Sequence, residues 1–127
     1  MKTEDREIRA ALERHWSDIT DQAVVHEIYL GDVVLEFPQG GERLVGVANV
    51  RAMREAYPAA VTFSIRRIRG GGDFWVTEGV ITYDGGSSMR TVTIMEFRGG
   101  KVAHETIYFG EPWEPPAWRA QWVERMA

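Results

Sequence analysis

The chain has 127 residues, of which 44% are hydrophobic and 27% are charged, and it carries a net charge of −4 and no cysteine. This length and this proportion of hydrophobic to charged residues predict one domain, residues 1–127, and exclude a disordered chain. No apolar run approaches the roughly 20 residues that a membrane-spanning helix needs. The lack of cysteine excludes disulfides and thiolate metal sites, and the scattered arginines argue against nucleic acid or an anionic membrane as the partner.

The first predicted helix begins at Thr3, whose hydroxyl can cap it, and its first turn is acidic. Ile8, Leu12, His15 and Ile19 follow at spacings of three and four residues, so they share one face. His15 is therefore expected to point toward the core. The acidic, polar start differs from a secretory signal, which is basic and then apolar, and this favours a cytoplasmic protein.

Two further helices are predicted before the sheet. The second starts at Thr20 or Asp21 and runs through "QAVVHEIY", with His26 on its outer side. The candidates for its buried side are Ala23, Val24 and Tyr29. The third lies in "GVANVRAMREAY" and ends at Pro58, because the residue before proline resists helical torsions. Its apolar stripe comprises Val50, Met53, Arg54 and Tyr57.

The rest of the chain reads mostly as strands. "DVVLEF" is the first strand, and the corner "PQGG" turns it back through "ERLVG". From residue 59 to 109, glycines at 70–72, 85–86 and 99–100 separate alternating segments, which predicts an antiparallel meander. A last helix follows, with an apolar stripe of Trp118, Trp122 and Met126. Helices followed by a long sheet indicate an α+β fold.

The segments "EIYLGDVVLEFPQGGERLVG" and "GGKVAHETIYFGEPWEPPAWRAQW" carry a family resemblance. Their strongest signals are the run aromatic-x-x-Asp-x-x-x-Glu-x-Pro from Tyr29 to Pro38, the Gly-Glu pair at 41–42, Gly46 and the late "ETIYF". With these motifs and with its helices followed by a long sheet, the chain resembles the nuclear transport factor 2-like superfamily, in particular its SnoaL-like bacterial branch. All of these signals specify the scaffold, and none is a catalytic signature.

The resemblance implies a cone-shaped, strongly bent antiparallel sheet wrapped around three N-terminal-half helices, with a short C-terminal helix, which is a cystatin-like α+β roll. It also implies a homodimer through the outer sheet face and a pocket for a small hydrophobic organic molecule, with no cofactor. Members of the superfamily include steroid isomerases, polyketide cyclases, epoxide hydrolases, dehydratases and non-enzymatic binding domains. The fold therefore leaves the function open, and the site has to be argued from its residues.

Alignment with the ketosteroid isomerase branch predicts that the isomerase machinery is absent. Phe37 stands where that branch keeps its general-base aspartate, and phenylalanine carries no proton. Thr93 stands in the place of a protonated aspartate donor, and His15 lies near the place of the tyrosine donor. The search for chemistry therefore moves to other residues.

Three residues are candidates for acid-base chemistry: His15, Glu78 and Glu105. His15 could act as a base near neutral pH, or it could be a neutral core histidine bonded to a backbone carbonyl. The resemblance to the isomerase branch implies a register in which Glu78 faces outward and Glu105 inward, but one bulge would reverse such a phase, so the phase of both strands stays open. An inward Glu105 could be catalytic, or it could form a structural ion pair with Arg66, Arg67 or Arg90.

Aromatic and polar side chains near the open end of the cone are candidates for ligand binding. They are Trp16, Tyr29, Phe37, Phe63, Thr93, Phe109 and Trp118. Trp118 and Trp122 could form a lid or could clamp the tail to the sheet, and Asp32 could lie at the rim or cap a turn. His15, His26 and His104 lack the short spacings of a zinc site, so no metal is expected. Two functions stay open: an isomerase, cyclase, hydratase or hydrolase, or a non-catalytic ligand-binding or accessory domain.

Overall fold

The computed structural model describes residues 3–57 and 59–126. The helices are α1 (Thr3–Ser17), α2 (Gln22–His26) and α3 (Val47–Ala56), and a 3-10 helix spans Ala117–Trp122. The strands are β1 (Tyr29–Phe37), β2 (Glu42–Val45), β3 (Val61–Gly71), β4 (Phe74–Tyr83), β5 (Ser88–Arg98) and β6 (Lys101–Gly110). Among the described residues, no helix is long and apolar enough to cross a membrane.

The six strands form one open sheet in the order β2-β1-β6-β5-β4-β3. Strands β3 to β6 make the predicted antiparallel meander, and β1 pairs antiparallel with β2. β1 and β6 run parallel, so the sheet is mixed. This pairing could not be derived from alternation, because alternation defines the faces of a strand but not its neighbours. The predicted α+β fold class is confirmed, with the helices packed on one side of the sheet.

Helix α1 is amphipathic, as its residue spacing predicts. Its first turn carries Glu4 and Asp5, which are favourable at the positive end of the helix dipole. Its buried residues are Ile8, Leu12, His15 and Trp16. The helix packs on β3, and the inward direction predicted for His15 is confirmed by its 2% exposure.

Helix α2 is shorter than predicted. The Asp21 carboxylate accepts a hydrogen bond from the Val24 N–H at 3.2 Å, so Asp21 is the N-cap. The chain leaves the helix after His26, and Tyr29 is the buried first residue of β1. The prediction that His26 lies on the outer side was wrong: His26 is buried, whereas Ala23 is exposed. A helix of little more than one turn is too short for its spacing to define a face.

Helix α3 begins after a corner built from glycines. The Gly40 N–H donates to the Phe37 carbonyl at 3.1 Å, which turns β1 back into β2 as predicted. Gly46 has a φ of 88°, which disfavours residues with a side chain, and its N–H donates to the Val33 carbonyl before α3 begins. The helix ends at Ala56, and the predicted stop at Pro58 lies outside the described residues.

The C-terminal tail differs from the prediction. The structure contains a 3-10 helix rather than an α-helix, and residues four apart do not share a face in a helix of three residues per turn. The predicted stripe is exposed: Trp118, Trp122 and Met126 keep 73%, 71% and 78% of their surface. The expectation that these tryptophans clamp the tail to the sheet was therefore wrong within this chain.

Candidate functional site

A cavity of about 590 Å³ lies between the helices and the inner face of the sheet. Its wall is mainly apolar and aromatic, which suits a small organic molecule. The helices and the loops next to them contribute His15, Trp16, Ile19, Thr20, Gln22, Val25, Met53, Arg54, Glu55, Tyr57, Ala59 and Ala60. The strands contribute Phe37, Val61, Phe63, Ile81, Tyr83, Thr91, Thr93, Ile107 and Phe109.

Aromatic side chains form two parts of this wall. The rings of Trp16 and Phe63 stack with centroids 4.2 Å apart and an interplanar angle of 20°. The Phe63 ring fills the space above Gly79, where a Cβ would collide with it. Phe37 and Phe109 face each other across neighbouring strands at 6.0 Å. These contacts place flat apolar surfaces on the helix side and on the strand side of the cavity.

His15 contributes an imidazole ring to the cavity wall. Its Nδ1 lies 2.8 Å from the Val25 carbonyl oxygen, so Nδ1–H donates and Nε2 keeps a lone pair. Nε2 has no hydrogen-bond partner among the described residues. Burial, followed by the nearby positive charge of Arg54, lowers the pKa of His15 to about 3. His15 is therefore neutral at pH 7 with Nε2 able to accept, which matches the predicted alternative of a neutral core histidine bonded to a backbone carbonyl.

Glu105 points inward, as the strand register predicted, and is completely buried. The Tyr29 hydroxyl donates to its Oε1 at 2.6 Å, and Arg54 NH2 lies 3.8 Å from its Oε2. The predicted ion-pair partners Arg66, Arg67 and Arg90 were wrong, because Arg54 from α3 is the partner. Neither Glu105 nor its hydrogen-bond partner Tyr29 lines the cavity, so both side chains lie behind the cavity wall.

A chain of hydrogen bonds connects this carboxylate to the helices. Arg54 NH1 donates to the Tyr29 hydroxyl at 3.1 Å and approaches His26 Nε2 at 3.3 Å. His26 Nδ1–H donates to the Gln22 carbonyl at 2.7 Å, which leaves Nε2 as the acceptor. We name these four side chains, Tyr29, His26, Arg54 and Glu105, the buried network. The hydrogen bonds between these side chains have consistent donors and acceptors, while Glu105 Oε2 has no hydrogen-bond partner among the described residues.

Burial perturbs the acids of the buried network. It raises the pKa of Glu105, against the opposing effects of the Arg54 charge and the Tyr29 hydroxyl. It also raises the pKa of Tyr29, which therefore remains a neutral hydroxyl at pH 7. Burial lowers the pKa of His26, so this imidazole is held in its neutral form. Arg54 is consequently the strong positive charge of this region.

Two other predicted site residues lie away from the cavity. Glu78 faces the outer side of the sheet, as the register predicted, where it bonds to Arg67. That bond is the main cause of its lowered pKa. A bulge does occur, but it lies in β3 at Arg66 and does not turn Glu78 inward. Trp118 is exposed and lines no part of the cavity.

Asp32, a candidate for the rim, is exposed at the strand surface. Both of its carboxylate oxygens accept from Arg98, at 2.8 and 2.9 Å. Of the predicted ligand-binding residues, the structure brings five to the cavity: Trp16, Phe37, Phe63, Thr93 and Phe109. Within the described ranges, no group of three or more His, Cys, Asp or Glu side chains could hold a metal ion.

Several polar atoms of cavity residues are buried without a hydrogen-bond partner among the described residues. They are Trp16 Nε1, Gln22 Oε1, Thr91 Oγ1 and Thr93 Oγ1. Sequence reasoning missed Gln22, Arg54 and Thr91 as site residues. Arg54 carried a usable signal, because an arginine on the apolar stripe of α3 has to find a buried partner. Such unpaired groups are costly in a closed protein interior, and a bound molecule could satisfy them.

Comparisons with known proteins place this architecture in a family. A family model described as the SnoaL-like domain matches residues 6–105. The chain belongs to the SnoaL-like domain family. This SnoaL-like domain is 45% identical to a nuclear transport factor 2-like protein of unknown function from Burkholderia xenovorans, with a TM-score of 0.92 and coverage of 99% of this chain and 100% of that one. The predicted superfamily and branch are confirmed.

More distant structures share the fold of this SnoaL-like domain. A candidate ketosteroid isomerase from Kribbella flavida is 24% identical, with a TM-score of 0.84 and coverage of 96% and 91% of the two chains. A LEH-like epoxide hydrolase from M. tuberculosis is 22% identical, with a TM-score of 0.68 and coverage of 82% and 83%. A comparison with curated proteins gives no match.

Proposed function

We propose that this chain binds a small hydrophobic organic molecule in its cavity and acts on it by cofactor-independent acid-base chemistry of the isomerase, cyclase, hydratase or hydrolase type. The observation that carries the proposal is the neutral His15 imidazole on the wall of an apolar cavity, whose Nε2 has no hydrogen-bond partner in the part of the chain that the structure describes. A buried acceptor next to a pocket for an organic molecule is placed to receive a proton or a hydrogen bond from that molecule.

In the proposed step, an O–H of the bound molecule, or a C–H next to a carbonyl group, transfers its proton to His15 Nε2, and in the second case the carbon–hydrogen electron pair moves into an enolate. The electrons of the broken bond remain on the molecule as an oxyanion, and Arg54, which lines the same cavity, offsets that negative charge. The low pKa of His15 opposes this transfer, first because burial disfavours the charged imidazolium and second because Arg54 repels it. An anion formed between the two groups would reduce that repulsion, so the imidazolium and the oxyanion would stabilise each other.

Glu105 acts in this scheme as a positioning residue. It holds the Tyr29 hydroxyl, which in turn accepts from Arg54, and it does not reach the cavity. Glu78, the other predicted carboxylate, faces away from the cavity and is left out of the proposed chemistry.

The second candidate is a non-catalytic binding or accessory domain with the same ligand class. It is favoured by the composition of the wall, where Phe37 occupies the place of the isomerase base and neither Glu78 nor Glu105 is present. Under this reading His15 Nε2 orients the ligand by accepting a hydrogen bond.

We further propose that residues 1–127 form a single domain that dimerises through the outer face of the sheet. Val92 and Tyr108, on neighbouring strands, are exposed on that face at 38% and 43%. Light scattering after size exclusion tests the dimer, and a Tyr108→Glu variant should shift it toward the monomer. A wild-type protein that is monomeric at micromolar concentration would contradict the proposal.

The experiment for the function starts from binding. A panel of mono- to tricyclic ketones, enols and epoxides is screened for ligands that raise the melting temperature, and each ligand is then analysed by mass spectrometry for conversion. The key variant is His15→Asn, whose amide nitrogen can replace Nδ1 at the Val25 carbonyl while Nε2 is lost. The matched control is His104→Asn, whose imidazole lies outside the cavity; because His104 is on the proposed dimer face, light scattering first checks that this variant keeps the wild-type oligomeric state.

Product formation that is lost in His15→Asn and kept in His104→Asn supports the enzyme. A ligand that both proteins release unchanged supports the binding domain instead. Turnover that is unaffected by His15→Asn contradicts the role proposed for the imidazole.

A further inference from the structure

The cavity wall of this chain contains one strongly basic side chain among the described residues, Arg54. Its NH1 group is used by Tyr29 and approached by His26, but Nε has no hydrogen-bond partner in the described part of the chain. NH2 lies 3.8 Å from Glu105 Oε2, which is close enough for attraction but too far for a hydrogen bond. The buried network thus orients the guanidinium while two of its donor groups remain unbonded.

The other unpaired polar groups of the wall include both acceptors and donors. Gln22 Oε1 and His15 Nε2 can only accept, Trp16 Nε1 can only donate, and the hydroxyls of Thr91 and Thr93 can do either. Both threonines lie on β5, with exposures of 4% and 1%, so water has little access to them. Trp16, Thr91 and Thr93 can therefore add donors to those of Arg54 for an oxygen atom that carries negative charge.

The negative charges near Arg54 do not cancel this preference. Glu105 is buried behind the wall, and its Oε2 lies 3.8 Å from Arg54 NH2, so it attracts the guanidinium without taking up the NH2 donor. Glu55 lines the cavity, but its side chain is half exposed and lies 3.6 Å from Arg51 on the same helix. Solvent screens an exposed pair of this kind, so it has little effect on an anion deeper in the cavity.

We propose that the molecule bound in this cavity is a hydrophobic carboxylate, whose anionic head is held by Arg54 and whose flat apolar body lies against the stacked Trp16 and Phe63 rings. This proposal rests on the function proposed above and narrows its ligand class from any small hydrophobic molecule to an organic anion. The cavity of about 590 Å³ has room for a body of two or three fused rings.

The test compares two ligands that differ only in charge, naphthalene-2-carboxylate and naphthalene-2-carboxamide. Their affinities are measured by titration calorimetry at pH 7 and moderate salt. The wild-type protein should bind the carboxylate about ten times more tightly or better, because a hydrogen bond to a charged partner is stronger than one between neutral groups. In Arg54→Met the two affinities should become equal within about threefold, with binding of the carboxamide retained.

Two further variants keep the test decisive. Arg51→Met removes an exposed arginine from the same helix without touching the cavity, and it should preserve the preference for the carboxylate. If Arg54→Met alone does not fold, the double variant Arg54→Met/Glu105→Gln removes both charges of the buried pair, which proteins tolerate better than the loss of one.

Equal wild-type affinity for both ligands overturns the anion proposal and leaves the pocket function standing. A preference for the carboxylate that persists without Arg54 also overturns it. If neither ligand binds, and a series of one- to three-ring acids and amides also fails to bind, both the anion proposal and the proposed pocket function fail.

Discussion

Removal of the Tyr29 hydroxyl is the sharpest test of the buried network. In Tyr29→Phe the ring remains and keeps its edge contact with His15, while the hydroxyl that links Glu105 and Arg54 is lost. Two hydrogen bonds disappear, one of 2.6 Å to the carboxylate and one of 3.1 Å from the guanidinium. Both charged partners lose a contact in a region that water hardly reaches.

The expected loss of stability follows from these two bonds. Each hydrogen bond to a charged group contributes about 1.5 to 3 kcal/mol. In the variant, Arg54 still has His26 nearby and Glu105 is still attracted by Arg54. The total loss of unfolding free energy should therefore be less than the sum of the two hydrogen bonds, at about 3 kcal/mol. For a domain of this size that corresponds to a fall of roughly 12 °C in melting temperature.

Urea unfolding provides the measurement, and the midpoint should fall without a change in slope. Tyr57→Phe is the matched control, because Tyr57 is half exposed and lies outside the proposed dimer face. A Tyr29→Phe variant that is destabilised by no more than Tyr57→Phe would refute the reasoning. A double-mutant cycle with Glu105→Gln should then give a coupling energy above about 1 kcal/mol, and a value near zero would show that the two side chains act independently.

Three other substitutions or titrations probe further features. Gly79→Ala should lower the free energy of unfolding by about 1 to 3 kcal/mol and weaken ligand binding, because the added Cβ would collide with Phe63. Gly31→Ala is the control, because Gly31 has open space around it. Equal effects of the two substitutions would contradict this prediction. The folded pKa of His15 is about 3 against 6.5 unfolded, so the unfolded chain binds more protons and stability should fall as the pH drops from about 6.5 toward 3. His15→Asn should flatten that part of the urea-midpoint profile, and an unchanged slope would count against a buried neutral imidazole. The pKa of His104 is raised, chiefly by its hydrogen bond to the Glu96 carboxylate. The stability that this histidine contributes is therefore present below pH 6.5 and is lost as the pH rises through its pKa in the folded protein. An NMR titration of His104 with a midpoint at or below 6.5 would contradict this prediction.

The sequence alone left the inward or outward phase of β4 and β6 open. The register implied by the isomerase branch turned Glu78 outward and Glu105 inward, and the structure has both side chains in those directions. Local regularity predicted the buried side of α1 and the inward direction of His15. These predictions succeeded because the periods of a strand and of a helix come from backbone geometry, which neighbouring residues share.

Short and terminal segments were predicted less well. The five residues of α2 contain too little periodicity to show that His26 is buried. The spacing of Trp118 and Trp122 suggested an apolar stripe, but a spacing has this meaning only if the segment forms an α-helix that packs on something. In this chain the segment is a 3-10 helix whose tryptophans are exposed, so the predicted apolar stripe does not form a buried face.

The sequence by itself determined the family, the order of the elements and the buried side of α1, because these depend on local patterns and on motifs within short segments. Only the tertiary structure decided which charges meet. Glu105 on β6 has Arg54 of α3 as its partner, and not an arginine of the sheet, because α3 packs over β1, the strand beside β6. That packing leaves His15 and Arg54 on the wall of one cavity, and contacts between segments so distant in the chain are set by the packing of the whole molecule.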